Sequence, residues 1–194
     1  MGSLEGSRLS SPLIAGVDEA GRGPLAGPVV AAAVILPNGY NNDEIKDSKC
    51  LSPRRREELF ELLRKDALSI GISLVGPREI DDNDILWASL EAMRKAVLRL
   101  KLVPELLLVD GIHTIPDIEI PQRAIPKGDS KYTVISAASI VAKVVRDRIM
   151  CAWDKVYPQY GFAKHKGYPT KEHREAIMRY GPSPIHRLSF KGVM

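Results

Sequence analysis

Four carboxylates stand where apolar runs break off. Asp18 and Glu19 close the run Leu13-Ile14-Ala15-Gly16-Val17, and Asp110 closes Leu106-Leu107-Leu108-Val109. Asp129 lies in Gly128-Asp129-Ser130, just ahead of a long helical pattern. Taken singly, Asp110-Gly111 and Gly128-Asp129-Ser130 also read as ordinary turns. Taken together, the acids share a place. Wholly apolar strands are buried on both faces, so carboxylates at their ends project from the carboxyl edge of the sheet, where open α/β sheets bind ligands. Carboxylates crowded into one site repel each other unless cations neutralise them. Oxygen donors with no His or Cys among them select the hard cations Mg²⁺ or Mn²⁺ over zinc. Three or four such groups match the charge of about two ions, which can clamp the attacking and leaving oxygens of a phosphodiester. One difficulty stands against this. Neighbours on a regular strand face opposite ways, so the strand must end or bulge at Asp18-Glu19, or Glu19 must contribute differently from Asp18.

The loop Gly21-Arg22-Gly23-Pro24-Leu25-Ala26-Gly27-Pro28 follows the acidic pair. Its third glycine comes one residue too late for a dinucleotide fingerprint, and the loop leads into a strand where a helix should begin. No Walker A sequence occurs, which argues against a nucleotide cofactor. What remains is a backbone that can approach a ligand closely, beside one guanidinium and two carboxylates.

The elements that must position these groups are legible from pattern. Strands are expected at Leu13–Val17, Val29–Leu36, Ala67–Val75 and Leu106–Val109, with a short one within Pro116–Ile125. Pro37–Leu51 reads as polar and irregular. Ser52 before Pro53 caps a helix through Lys65. Leu86, Leu90, Met93, Val97 and Leu100 make the apolar stripe of a helix from Asp82 or Asp84 to Lys101. A long helix from Tyr132 to Val156 buries Ile135, Ala138, Ala142, Val145, Ile149, Ala152 and Val156. Beside that face Ser136, Ser139, Lys143 and Arg146 form a polar stripe. Thr170 caps a last helix that Gly181-Pro182 stops. This order implies an α/β or α+β domain with a mixed sheet.

Composition narrows the class. The 194 residues, 44% hydrophobic and 27% charged, suit one globular domain. Cys50 and Cys151 are too few for a disulfide framework and suit a reducing cytoplasm. No apolar run approaches the roughly 20 residues that span a bilayer, and the N-terminus has no secretory h-region. Residues 1–120 hold 14 Lys/Arg against 19 Asp/Glu, whereas residues 121–194 hold 14 against 5. A basic C-terminal part points to a polyanionic partner or to a solvated basic surface.

Gly16-Val17-Asp18-Glu19-Ala20-Gly21-Arg22-Gly23-Pro24-Leu25-Ala26-Gly27-Pro28-Val29-Val30 resembles the N-terminal signature of the ribonuclease HII family. Four further blocks resemble the same family in the same order. They are Asp47-Ser48-Lys49-Cys50-Leu51-Ser52, Leu108-Val109-Asp110-Gly111, Lys127-Gly128-Asp129 with Ser136 through Asp147, and His165-Lys166-Gly167-Tyr168-Pro169-Thr170. The resemblance covers about residues 13–190. It implies an RNase H-like α/β fold, a mixed central sheet flanked by helices, with a short C-terminal helical segment. The expected activity is cleavage of RNA in RNA–DNA hybrids and at single ribonucleotides in duplex DNA. It would use two Mg²⁺ or Mn²⁺ ions and leave 5′-phosphate and 3′-hydroxyl ends. Asp18, Glu19, Asp110 and Asp129 become the catalytic, metal-holding acids. Asp147 is a rival for the fourth place, but it follows Lys143 by four residues and suits an ion pair.

The resemblance assigns Gly21, Arg22 and Gly23 to the ribose 2′-hydroxyl, and Tyr168 to stacking near the same junction. The 2′-hydroxyl is what distinguishes RNA from DNA, and glycine amides reach it unobstructed. On its residues alone, Tyr168 reads more readily as half-buried packing than as a stacking face. Lys49, Ser139 and Lys143 are candidate phosphate contacts; Ser139 and Lys143 share a helical face, which could also be solvated surface. His113, His165, His173 and His186 lack zinc spacing and read as surface or phosphate-proximal. The expected organisation is a flexible segment 1–12 and one catalytic domain 13–194, with a basic segment at about 157–194. A monomer acting in the cytoplasm on hybrid or ribonucleotide-containing duplex is expected, with no membrane partner. Some relatives carry a further C-terminal helical segment, absent here after Met194, and its absence would weaken hybrid binding. No extra N-terminal domain of the sister type HIII precedes the blocks, which favours type HII. The alternatives are a non-catalytic hybrid-binding protein or a resolvase on the same fold.

Overall fold

The computed structural model describes residues 12–46 and 51–194. Residues 1–11 and Lys49, one of the expected phosphate contacts, lie outside them. Among the described residues the strands β1 (Ile14–Ala20), β2 (Val29–Ile35), β3 (Ser69–Val75), β4 (Leu106–Asp110) and β5 (Gln122–Ile125) form one sheet in the order β3-β2-β1-β4-β5. β1, β2 and β3 pair antiparallel, whereas β4 runs parallel to β1 and β5 parallel to β4. The mixed sheet expected from the element order is therefore present.

The helices are α1 (Asp43–Lys46), α2 (Pro53–Asp66), α3 (Pro77–Asp82), α4 (Ile85–Leu98), α5 (Thr133–Val156), α6 (Phe162–His165) and α7 (Lys171–Tyr180). Alternation along β1 and β2 sorts their side chains between two cores. Ala15, Val17, Ala31 and Ala33 pack against Ala88, Ala92 and Ala96 of α4. Ala32 and Val34 face Ala137, Ala138 and Val141 of α5, with Leu59 and Leu63 of α2 beside them. Alanine on both sides lets helix and sheet approach closely. A third cluster joins Leu25 and Ala26 of the glycine loop to Met150, Phe162, Ile177 and Ile185, so the C-terminal segment docks on that loop. No described helix is long and apolar enough to cross a membrane.

Ser52 and Thr170 cap as expected, and of Asp82 and Asp84 it is Asp84 that caps α4. Ser52 accepts from the Arg55 amide at 3.2 Å, Asp84 from the Trp87 amide at 2.7 Å, and Thr170 from the His173 amide at 3.2 Å. Two expectations need correction. Pro37–Leu51 contains the short α1, and Ser136 donates to the Ile45 carbonyl at its end, so Ser136 is buried. The apolar face of α5 also drifts. Its first half presents Ile135, Ala138 and Ala142 to the sheet, but Ala152 and Val156 are exposed. Past the sheet the helix packs on the C-terminal segment instead, and the buried line becomes Ala142, Arg146 and Met150.

Gly16 sets how closely α5 can sit on β1. A Cβ there would fall onto the Val134 carbonyl group. Gly16→Ala is expected to cost about 2–3 kcal/mol in a urea denaturation, because backbone cannot move aside as a side chain can.

Candidate active site

β1 continues through both acids without a bulge. Asp18 pairs with Ala32 and Glu19 with Ala31, so Asp18 faces α5 and Glu19 faces α4. The expected strand end at Asp18 is therefore replaced by its alternative, in which the two acids contribute from different sides. Val17 pairs with Val109 in the α4-side core, which puts Asp110, one residue later, on the same face as Asp18.

Asp18 is buried, and its Oδ1 accepts the Glu19 amide at 2.7 Å. Burial, then the charges of Glu19 and Asp110, push its pKa well above the usual carboxylate range, against hydrogen bonds from Ser139 and the Glu19 amide. Burial also raises Glu19; the Arg22 guanidinium, 3.5 Å away, pulls it back, and Asp110 adds to the rise. Asp110 Oδ1 accepts the amides of Gly128 at 2.6 Å and Asp129 at 3.4 Å. The 3₁₀ turn Gly128–Ser130 is thereby pinned to the end of β4, with Asp129 buried.

Two hollows meet here. A cleft of about 420 Å³ is lined by Glu19, Gly21, Arg22, Gly23, Arg56, Asp129, Ser139, Lys143 and Tyr168. A second, of about 270 Å³, holds Asp110, Gly111 and Lys127 on the α4 side, and Glu19 and Arg22 border both. Among the described residues no three His, Cys, Asp or Glu side chains close around one point as a ready cage. Like charges on buried Asp18 and half-buried Glu19 and Asp110, with one guanidinium among them, are the donor chemistry a hard cation neutralises.

The glycine loop is held from behind by two arginines that sequence reasoning missed. Arg146 of α5 donates to the carbonyls of Pro28, Lys166 and Ala26 at 3.0, 3.0 and 3.1 Å. Arg187 donates to Gly27, Arg22 and Gly21 at 3.0, 2.9 and 2.6 Å. Both side chains are fully buried. Burial, with Arg146 close by, lowers the Arg187 pKa to about 9, which leaves it cationic at neutral pH. Arg146 was expected on the polar stripe of its helix. The spacing Ala142-Arg146-Met150 is the signal that would have placed it inside. Gly21, at φ +100°, gives Arg146 its room, because a Cβ there would land on the guanidinium.

Tyr168 stands at the mouth of the cleft, 41% exposed, its Cε1 3.9 Å from where a Cβ on Gly23 would lie. Lys143 reaches to 5.7 Å from the Tyr168 ring centre and bonds Asp147 at 2.8 Å, the pairing expected for Asp147. Ser139 lines the cleft and bonds Asp18. Arg56 is a further lining cation that the sequence did not single out. The structure thus gathers Glu19, Asp110, Asp129, Gly21, Arg22, Gly23, Ser139, Lys143 and Tyr168 around two adjoining hollows, with Asp18 buried behind them next to Glu19, Asp110 and Ser139.

The histidines correct an expectation. His165, His173 and His186 are buried at the junction of α6, α7 and the C-terminal segment. Burial, then neighbouring imidazoles, push His173 and His186 down to about 4. The unfolded chain takes up these protons near pH 6.5 and the folded chain only near 4, so stability falls as pH drops through that window. The raised Asp18 and Glu19 act in the opposite sense, so a comparison isolates the imidazoles. Urea midpoints between pH 7 and 5 should fall less in His173→Gln than in the unmodified chain; equal slopes contradict this.

A family model for ribonuclease HII matches residues 15–193. The chain belongs to the ribonuclease HII family. Curated ribonucleases HII agree. That of Caldanaerobacter subterraneus subsp. tengcongensis is 59% identical over 177 residues, 91% of this chain and 73% of that protein. That of Syntrophus aciditrophicus is 57% identical over 179 residues, 92% of this chain and 84% of its own. Among solved structures, ribonuclease H2 from Pyrococcus horikoshii superposes with a TM-score of 0.79 at 32% identity, covering 93% of this chain and 95% of that one. The enzyme is a ribonuclease H, a hydrolase with the fold of that family.

Proposed function

We propose that the enzyme cuts the RNA strand of RNA–DNA hybrids and at single ribonucleotides in duplex DNA, with two Mg²⁺ or Mn²⁺ ions, leaving 5′-phosphate and 3′-hydroxyl ends. The observation that carries this reading is the meeting of mutually repelling carboxylates, Asp18 buried and Glu19 and Asp110 half-buried, with a glycine turn whose Gly21 and Arg22 carbonyls are already taken. Asp18, Glu19 and Asp110 would hold the ions, and Asp129 would hold one or position the attacking water. Bound there, such ions supply positive charge against the phosphate and acidify water.

The chain's own groups do the rest. Arg187 occupies the carbonyls of Gly21 and Arg22 from the buried side. A trans peptide sets N–H opposite C=O, so the amides of Arg22 and Gly23 point away from Arg187 toward the cleft those residues line. Two donors on a rigid turn suit a ribose 2′-hydroxyl, which a deoxyribose lacks. Tyr168 over Gly23 offers a flat face to the adjacent sugar or base. Lys143 and Arg56 add positive charge along the cleft for the backbone.

The test is a DNA duplex with one embedded ribonucleotide, incubated with and without divalent metal and mapped to the nucleotide. One metal-dependent cut at the ribonucleotide is expected, and none in the all-deoxy duplex. Equal cutting of both duplexes would show a nuclease blind to the sugar.

A further inference from the structure

The buried histidines form a directed chain of hydrogen bonds that ends on Tyr168. The Ser183 amide donates to His186 Nδ1 at 2.8 Å, and an amide cannot accept, so that nitrogen carries no proton. The neutral ring then carries its proton on Nε2 and donates to His173 Nε2, 3.0 Å away. His173 must therefore carry its own proton on Nδ1, where it donates to the Tyr168 carbonyl at 2.9 Å. His165 completes the frame. Its Nδ1 accepts the Gly167 amide at 3.2 Å, its Nε2 donates to Tyr160 O at 2.7 Å, and its ring stacks on His173 at 4.4 Å. Phe162 and Tyr160 pack against His186 at 5.6 and 4.9 Å.

The segment so held is a strained turn that its own backbone closes only in part, through the Tyr168 amide to His165 O at 2.9 Å and the Thr170 amide to the Tyr168 carbonyl at 2.8 Å. Lys166 and Gly167 both have positive φ, 52° and 82°, and Lys166 accepts that conformation at a cost of side-chain strain. The same turn is tied to the glycine loop by the bonds Leu25 N–H to Gly167 O at 2.8 Å and Arg146 to Lys166 O. The Tyr168 ring projects from the end of this turn over Gly23.

We propose that His173 and His186 are positioning residues for Tyr168, fixing its backbone so that its ring meets the substrate at the glycine loop. This rests on the reading of Tyr168 as a substrate contact. Neither imidazole touches the substrate; both act through the Tyr168 carbonyl.

Nitrogen-15 NMR of the imidazoles in the unmodified protein reads the protons directly. Nδ1–H on His173 with Nε2–H on His186 is expected, and the reverse tautomers overturn the proposal. Kinetics on a hybrid substrate give the second test. His173→Gln removes the donor to Tyr168 and keeps an acceptor toward His186, whereas His173→Asn keeps an amide donor near the Nδ1 position. His173→Gln should raise KM roughly three- to tenfold, the effect of one lost hydrogen bond, with kcat little changed. His173→Asn should restore most of it, and His173→Gln should add nothing to Tyr168→Ala. A raised KM in Tyr168→Ala with none in His173→Gln overturns the relay alone. Fully additive losses, or no rescue by Asn, show a merely structural role. An unchanged KM in Tyr168→Ala removes the reading of Tyr168 beneath the proposal, and the relay's part in the reaction with it.

Discussion

Asp110→Asn is expected to lower hybrid cleavage by about 10²–10³-fold or more while the chain stays folded and still binds hybrid. The substitution is clean for a structural reason. Asp110 Oδ1 accepts the Gly128 and Asp129 amides, and the carboxamide oxygen of Asn can accept both, so the turn ahead of α5 keeps its place. What is lost is one negative charge, the property a hard cation needs. The same loss relieves repulsion, since Asp110 raises the pKa of both Asp18 and Glu19. In the absence of metal the variant should therefore melt at or above the temperature of the unmodified chain. A site that gains stability when its chemistry is removed is the signature of charges held together for function. Cleavage in the variant at an undiminished rate with Mg²⁺ would contradict the assignment.

Arg187→Lys should be the most damaging conservative change. A guanidinium presents a fixed fork of donors, and Arg187 spreads its own over the carbonyls of Gly21, Arg22 and Gly27. An ammonium on a flexible stem cannot reach all three, and each buried carbonyl left unpaired costs about 1–3 kcal/mol. A loss of about 2–4 kcal/mol in urea denaturation is expected. The functional effect follows from the same bonds. With its carbonyls released, the turn no longer holds the Arg22 and Gly23 amides toward the cleft, so preference for a ribose over a deoxyribose at the cut should shrink. Unchanged stability together with unchanged preference would show that the clamp is incidental.

Much of this was legible in the residues. The apolar runs placed β1 and β4, and the acids ending them were seen to belong to one edge. Ser52 and Thr170 mark two helix starts because each offers an oxygen to an unpaired amide, and the start left open between Asp82 and Asp84 falls to Asp84. The strand period raised the question of Glu19, and the register answered it by placing Glu19 on the opposite face from Asp18. What stayed hidden depended on contacts between distant stretches. Arg146 reads as part of a polar stripe and Arg187 is not singled out, because a charge is ordinarily exposed, and only the loop carbonyls far off in sequence explain their burial. His165, His173 and His186 read as surface or phosphate-proximal for the same reason, since no local pattern announces that three imidazoles pack together. The far half of α5 misled because its packing partner changes from the sheet to the C-terminal segment, and periodicity within one helix cannot report that.

The most direct test of the carboxylate cluster is electron paramagnetic resonance of Mn²⁺ titrated into the enzyme bound to a hybrid that cannot be cleaved. The unmodified chain should take up about two ions, and Asp18→Asn and Asp110→Asn should each weaken that uptake with hybrid still bound. Mn²⁺ uptake that is the same in all three proteins would mean that these acids do not hold the metal.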